Sequence, residues 1–149
     1  MARLTEDRAM YAKVLVPLEN TPCDETIIAH VRELAKLHHS SVIIAHVADG
    51  FGARYQDALN LEDSAEIKED RAYLERVRAQ LASDGLDVHA VLETGDPASR
   101  LVALAENERC DLIAMATHRH GVVQDVLRGS VAYSVRHKTQ IPVLLVPTR

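Results

Sequence analysis

"KVLVPLENTPCDETIIAHVRELAKLHHSSVIIAHV", residues 13 to 47, sets two short apolar runs on either side of one helical stripe, and that order decides the fold class. Lys13 to Leu18 is rich in β-branched residues and is closed by Pro17 and the polar "ENTP", which predicts a buried strand running into a turn. From Asp24 to about His38, Ile27, Val31, Leu34 and Ala35 recur at i, i+4, i+7 and i+8. That is the spacing of an amphipathic helix packed on a sheet. Ser41 to Val47 is almost wholly apolar, as a strand is when helices cover both faces of a parallel sheet.

The same alternation continues to the end of the chain. Residues 49 to 60, "DGFGARYQDALN", carry two glycines and no period, which predicts a loop. Ile67, Leu74, Val77 and Leu81 form a second helical stripe that stops near Asp84-Gly85. Asp87 to Glu93 reads as a third strand. Asp96 then stands where a helix N-cap belongs, with Pro97 at the first helical position, where its missing N–H is harmless. Asp111 to Ala116 is a fourth strand. Val123, Leu127, Val131 and Val135 predict a fourth helical face, and Ile141 to Pro147 a fifth strand. Strands alternating with helices imply an α/β fold: an open, doubly wound, five-stranded parallel sheet with four helices, Rossmann-like. One domain is expected over residues 11–149, behind a polar, flexible tail of residues 1–10.

Bulk properties narrow the function. In 149 residues, 47% apolar content supplies a core that needs neither disulfides nor metal. Cys23 and Cys110 match no paired spacing, so a reducing, cytoplasmic setting is expected. The chain has no apolar run of about 18 residues and its first ten residues lack a signal-peptide core, which predicts a soluble, unexported protein. A net charge of -5 argues against a general nucleic-acid or anionic-membrane binder. The exception is local: from His118 to Lys138 four cations face one acid, a charge of +3. Taken alone, such a run is more often a solvated helix face than an anion site.

In open parallel sheets ligands bind beyond the carboxyl ends of the strands, where the strand order reverses. The candidates are therefore Pro17, Leu18, Glu19 and Asn20 after strand one, His46 and Val47 at the end of strand two, and Met115 to Gly121 after strand four. Gly129-Ser130-Val131 suits a phosphate, because glycine lets the backbone approach closely and a helix N-terminus offers oriented N–H donors. Equally, Gly129 permits close helix–sheet packing and Ser130 is a mid-helix residue. Neither His38-His39 nor His118-x-His120 comes with a third ligand, so no metal site is expected from them. Glu93 and Asp96 read as a turn acid and a helix cap. The chain contains no Walker loop, no Gly-x-Ser-x-Gly elbow and no Cys/His nucleophile pair, so efficient catalysis has no support in the sequence. A phosphoacceptor receiver, which needs acids after strands one and three and a lysine after strand five, does not fit either, since the chain has Pro147-Thr148-Arg149 at that last place.

Residues 11 to 148 resemble, in one register, the universal stress protein family of adenine-nucleotide-binding α/β proteins. The resemblance rests on the first strand–helix–strand unit quoted above, on "TGDPASRLVALAENERCDLIAMATH", and most specifically on "GSVAYSVRHKTQIPVLLV". The family signature G-x-x-G, nine residues, G-[S/T] falls here on Ala116-Thr117-His118-Arg119, nine residues, then Gly129-Ser130. The spacing is kept, but both leading glycines are replaced. Glu19 stands where the family commonly has an aspartate that contacts nucleotide. Arg119 brings a large side chain to where the family leaves room for phosphate, and it either obstructs the pocket or becomes a phosphate ligand itself.

The resemblance implies ATP, or ADP or AMP, with Mg2+ as an accompanying ion. It places Pro17, Leu18, Glu19 and Val47 around adenine and ribose, Met115 and Ala116 along base and sugar, and Arg119, Gly129, Ser130 and Val131 at the phosphates. It also implies a sheet order of 3-2-1-4-5, a homodimer through the last strand (Val143 to Val146), and at most slow ATP hydrolysis. The alternative is a member that has lost the nucleotide and serves as a dimeric interaction module.

Overall fold

A computed structural model describes residues 10–48, 65–118 and 130–148. Five strands, β1 (Lys13–Pro17), β2 (Ser41–Ala48), β3 (Asp87–Thr94), β4 (Leu112–His118) and β5 (Val143–Thr148), form one sheet of order β3-β2-β1-β4-β5. Every neighbouring pair is parallel. Among the described residues four helices connect them: α1 (Asp24–His38), α2 (Ala65–Ser83), α3 (Pro97–Asn107) and α4 (Val131–Lys138). The expected open α/β sheet and its 3-2-1-4-5 order are both observed.

Because side chains alternate across a strand, each central strand feeds two cores. Val14, Val16, Val42, Ile44, Leu112 and Ala114 point to one face, where Ile27, Val31 and Ala35 of α1 and Leu74, Val77 and Leu81 of α2 cover them. Leu15, Ile43, Ala45, Ile113 and Met115 point to the other, against Ala98, Leu101, Val102 and Ala105 of α3 and Val135 of α4. Burial on both faces is why these strands read as unbroken apolar runs. Each fully buried Leu or Ile contributes roughly 1.5–3 kcal/mol of transfer free energy, so the central strands are the most firmly held part of the sheet.

The caps follow the sequence closely at one helix and decide between two readings at another. Asp96 accepts the N–H of Ser99 at 3.0 Å with Pro97 at the first helical position, as predicted. The spacing that predicts a continuous helical face from Val123 to Val135 runs across Ser130, whose backbone is extended (φ -73°, ψ 146°). The Ser130 hydroxyl accepts the N–H of Tyr133 at 3.1 Å, so this residue starts a helix and is not in the middle of one. Val123 and Leu127, the loop predicted over 49–60 and the tail through residue 9 lie outside the described residues. Among the described residues no helix is long and apolar enough to cross a membrane.

Candidate functional site

The strand order reverses between β1 and β4, whose ladder comprises Val14–Leu112 and Leu15–Ile113. On its other side β1 stays paired with β2 through Pro17–Ala45, and the N–H of Leu18 still donates to the Ala45 carbonyl at 2.7 Å. The carboxyl ends of β1 and β4 thus diverge above a short ladder. A cavity of about 620 Å³ opens there. Its sheet side is Pro17 to Glu19, Ala45 to Val47, Met115 to His118 and Leu145, and its helical wall is Asp24, Pro97, Leu101, Ser130 to Tyr133 and Arg136.

The loop from β1 to α1 is organised by one buried carboxylate. Asp24, the first residue of α1 and 2% exposed, accepts the backbone N–H of Glu19 at 3.0 Å, of Asn20 at 2.8 Å and of Thr21 at 3.4 Å. The Tyr73 hydroxyl of α2 donates to the same carboxylate at 2.6 Å. Successive N–H groups converging on one anion form a backbone nest, and here the chain fills it with its own carboxylate. Burial, and then the hydrogen bond to Asp24, push the Tyr73 phenol well above its ordinary range.

A second acid of α2 braces the same loop. Asp70, 7% exposed, accepts the Asn20 side-chain amide at 3.0 Å and lies 3.3 Å from His46 Nε2. His46 Nδ1 is in turn 2.7 Å from the Leu18 carbonyl. Asn20 itself has a φ of 60°, a left-handed conformation that asparagine adopts more readily than most residues. At the cavity mouth, Glu19 Oε2 meets His118 Nε2 at 2.7 Å, joining the ends of β1 and β4. Along α4, the Arg136 guanidinium lies 6.0 Å from the Tyr133 ring centroid, and the His137 ring packs against the same tyrosine with centroids 4.1 Å apart.

Of the residues singled out in the sequence, Pro17, Leu18, Glu19, Val47, Met115, Ala116, Ser130 and Val131 line this one cavity. Arg119 and Gly129 lie outside the described residues. Sequence reasoning missed Asp24, Asp70 and Tyr73. Searching only beyond strand ends excludes α2, and Asp24 reads as nothing more than a helix-starting acid. The signal for Asp70 was present nonetheless: it interrupts the apolar stripe Ile67, Leu74, Val77, Leu81 at a core position. A carboxylate there requires a polar partner.

An open parallel α/β sheet with a crevice at its switch point defines the class of this domain. The universal stress protein family model matches residues 10–147, and the chain belongs to that family. A universal stress protein of Methanocaldococcus jannaschii is 29% identical over 154 residues, covering 92% of this chain and 95% of its own. The solved structure of that archaeal protein superposes with a TM-score of 0.77 at 28% identity, over 94% of this chain and 98% of the other. Two further structures share the fold. One, a universal stress protein in complex with cAMP, has a TM-score of 0.72 at 21% identity, covering 93% of this chain and 98% of its own. The other, from Archaeoglobus fulgidus in complex with dAMP, has a TM-score of 0.68 at 19% identity, covering 91% and 98%.

Proposed function

We propose that this protein binds an adenine nucleotide, ATP or its di- or monophosphate, in the crevice between β1 and β4, and works as a cytoplasmic stress-response regulator. The observation that carries this reading is the polarity of the cavity. At one end the backbone donors of Glu19, Asn20 and Thr21 are already taken by Asp24, leaving the apolar surfaces of Pro17, Leu18 and Val47 for a planar base. At the other end α4 begins at the cavity wall with Ser130 as its cap, and the first N–H groups of a helix have no partner inside it. Phosphates belong at that end, where the helix dipole and Arg136, which lines the same cavity, favour negative charge. Related proteins of the same fold solved with cAMP and dAMP support an adenine ligand.

Met115 and Ala116 would then lie along base and sugar, with Ser130, Val131, Gly129 and Arg119 at the phosphates. Mg2+, if it accompanies the ligand, is carried by phosphate oxygens: among the described residues no three His, Cys, Asp or Glu side chains gather as metal ligands. Function by occupancy, with at most slow hydrolysis, suits a cavity of this composition. β5 is an edge of the sheet, and the partly buried Val143, Leu144 and Leu145 invite pairing with a second copy through Val143 to Val146.

Native mass spectrometry of gently purified protein, with ATP titration calorimetry, tests the reading. Recovery of ATP, ADP or AMP is expected. An empty preparation that also gives no heat with ATP would overturn it, and would favour the dimeric interaction module that the replacement of glycine by Arg119 allows. Arg119→Ala separates the two roles of that side chain. A phosphate ligand there is worth roughly 1.5–3 kcal/mol of binding, whereas unchanged or tighter binding means that Arg119 occupies the phosphate position.

A further inference from the structure

Glu19 reaches into the cavity from a loop whose two flanking residues are both tied to one side chain on a distant helix. On its amino side the Leu18 carbonyl is bound to His46 Nδ1 at 2.7 Å, and His46 Nε2 stands 3.3 Å from Asp70 Oδ2. On its carboxyl side the Asn20 amide donates to Asp70 Oδ1 at 3.0 Å. One oxygen of this buried carboxylate therefore holds Asn20 directly, and the other faces the His46 ring that holds Leu18. The bond to Asn20 adds to that of its N–H with Asp24 at 2.8 Å, and together they keep Asn20 in the left-handed conformation that turns the chain from β1 toward α1. Left-handed backbone at a non-glycine residue persists only where surrounding contacts determine it.

We infer that Asp70 is a positioning residue of the ligand site: through His46 and Asn20 it fixes where Glu19 stands, so that the placement of α2 is read directly by the binding loop. This rests on the adenine-nucleotide reading above for the identity of the ligand, but the positioning itself is a property of the free protein. Glu19 is the residue that spans to His118 at 2.7 Å, so a shift of the loop separates the two halves of the crevice. Neither Asp70 nor Asn20 lines the cavity. Their effect on binding is indirect, through preorganisation.

The hydrogen-bond chemistry supplies a discriminating variant. Both ring nitrogens of His46 face oxygens, so the ring donates to both only when it carries two protons. In Asp70→Asn the new amide carbonyl still accepts from Asn20, while its NH₂ donates to the Nε2 lone pair of a singly protonated His46. The brace survives in neutral form. In Asp70→Ala it is lost entirely, and Asn20→Gly removes the other anchor without the left-handed penalty.

The experiment is NMR-detected amide exchange on the free proteins, paired with ATP titration of each. Asp70→Ala and Asn20→Gly are expected to speed exchange at Asn20 and Thr21 by at least about tenfold while Val14 to Val16 keep wild-type rates. Both are expected to weaken ATP binding by roughly tenfold, the scale of ordering a loop side chain. Asp70→Asn is expected to restore both quantities to within about threefold of wild type. Unchanged exchange in Asp70→Ala overturns the inference. So does acceleration that is equal at Val14 to Val16, which is global destabilisation. If wild type binds no ATP, the nucleotide reading falls, and the exchange rates alone decide the positioning role.

Discussion

Glu19 Oε2 and His118 Nε2 stand 2.7 Å apart, the one just beyond β1 and the other the last residue of β4. Their side chains are 53% and 32% exposed, so solvent screens the pair and its contribution to stability is at most about 1 kcal/mol. Its place at the switch point gives it another role: it ties together the strand ends between which the ligand is proposed to lie.

Glu19→Ala is therefore expected to change the urea unfolding free energy by less than about 1 kcal/mol while weakening ATP binding by roughly 1–2 kcal/mol. Calorimetric titration beside a denaturation curve separates the two. A large loss of stability with unchanged affinity would place Glu19 in the scaffold and not in the site.

Asp24→Ala is expected to be far more damaging. It leaves the N–H groups of Glu19, Asn20 and Thr21 and the Tyr73 hydroxyl around a void in place of a carboxylate. Loss of a buried, multiply bonded charge acceptor costs about 2–4 kcal/mol. Asp24→Asn, which keeps one acceptor oxygen, should fall between the two. Chemical denaturation at constant m-value measures it, and a loss below about 1 kcal/mol would show that water replaces the carboxylate in the nest.

The pH dependence of stability should carry the signature of Tyr73. Its folded-state pKa is raised above the usual value of about 10, first by burial and then by the bond to Asp24. A raised pKa means that the folded protein keeps a proton which the unfolded chain releases. The stabilisation is complete below about pH 10 and is lost as the pH climbs above it. Tyr73→Phe is expected to lower stability at neutral pH by roughly 1 kcal/mol and to flatten this alkaline decline. An identical decline in the variant would assign it to other groups.

Two helix caps allow binding to be separated from stability. Ser130→Ala and Asp96→Ala each remove a side-chain acceptor from a first-turn N–H, at 3.1 Å and 3.0 Å respectively, and each should cost about 1 kcal/mol of stability. Ser130 lines the cavity and Asp96 does not. ATP affinity is expected to fall in the Ser130 variant and to hold in the Asp96 variant. Equal losses in both would mean that the caps act only through general loosening of the fold.

The strand runs and helical stripes were legible because burial on both faces of a parallel sheet leaves a one-dimensional imprint. Val14 to Val16, Val42 to Ala45 and Leu112 to Met115 are apolar at every position since both cores need them. The Asp96-Pro97 cap was legible for a similar reason, its chemistry being local. At Ser130 the sequence left two readings open, a helix N-terminus and a mid-helix residue, because the i, i+4 spacing of Val123, Leu127, Val131 and Val135 looks the same whether or not a cap interrupts it.

By itself, then, the sequence determined the α/β alternation, the parallel sheet and the chain positions that lie beyond strand ends, since each follows from local periodicity and the geometry of one element. The tertiary structure alone decided that Asp24 closes the nest over Glu19 to Thr21, and that Asp70 reaches Asn20 and His46 from α2. Asp70 is far from both partners along the chain, 50 positions from Asn20, and meets them only because α1 and α2 pack on the same face of the sheet. A buried carboxylate announces that it needs partners, but which donors arrive is settled by packing.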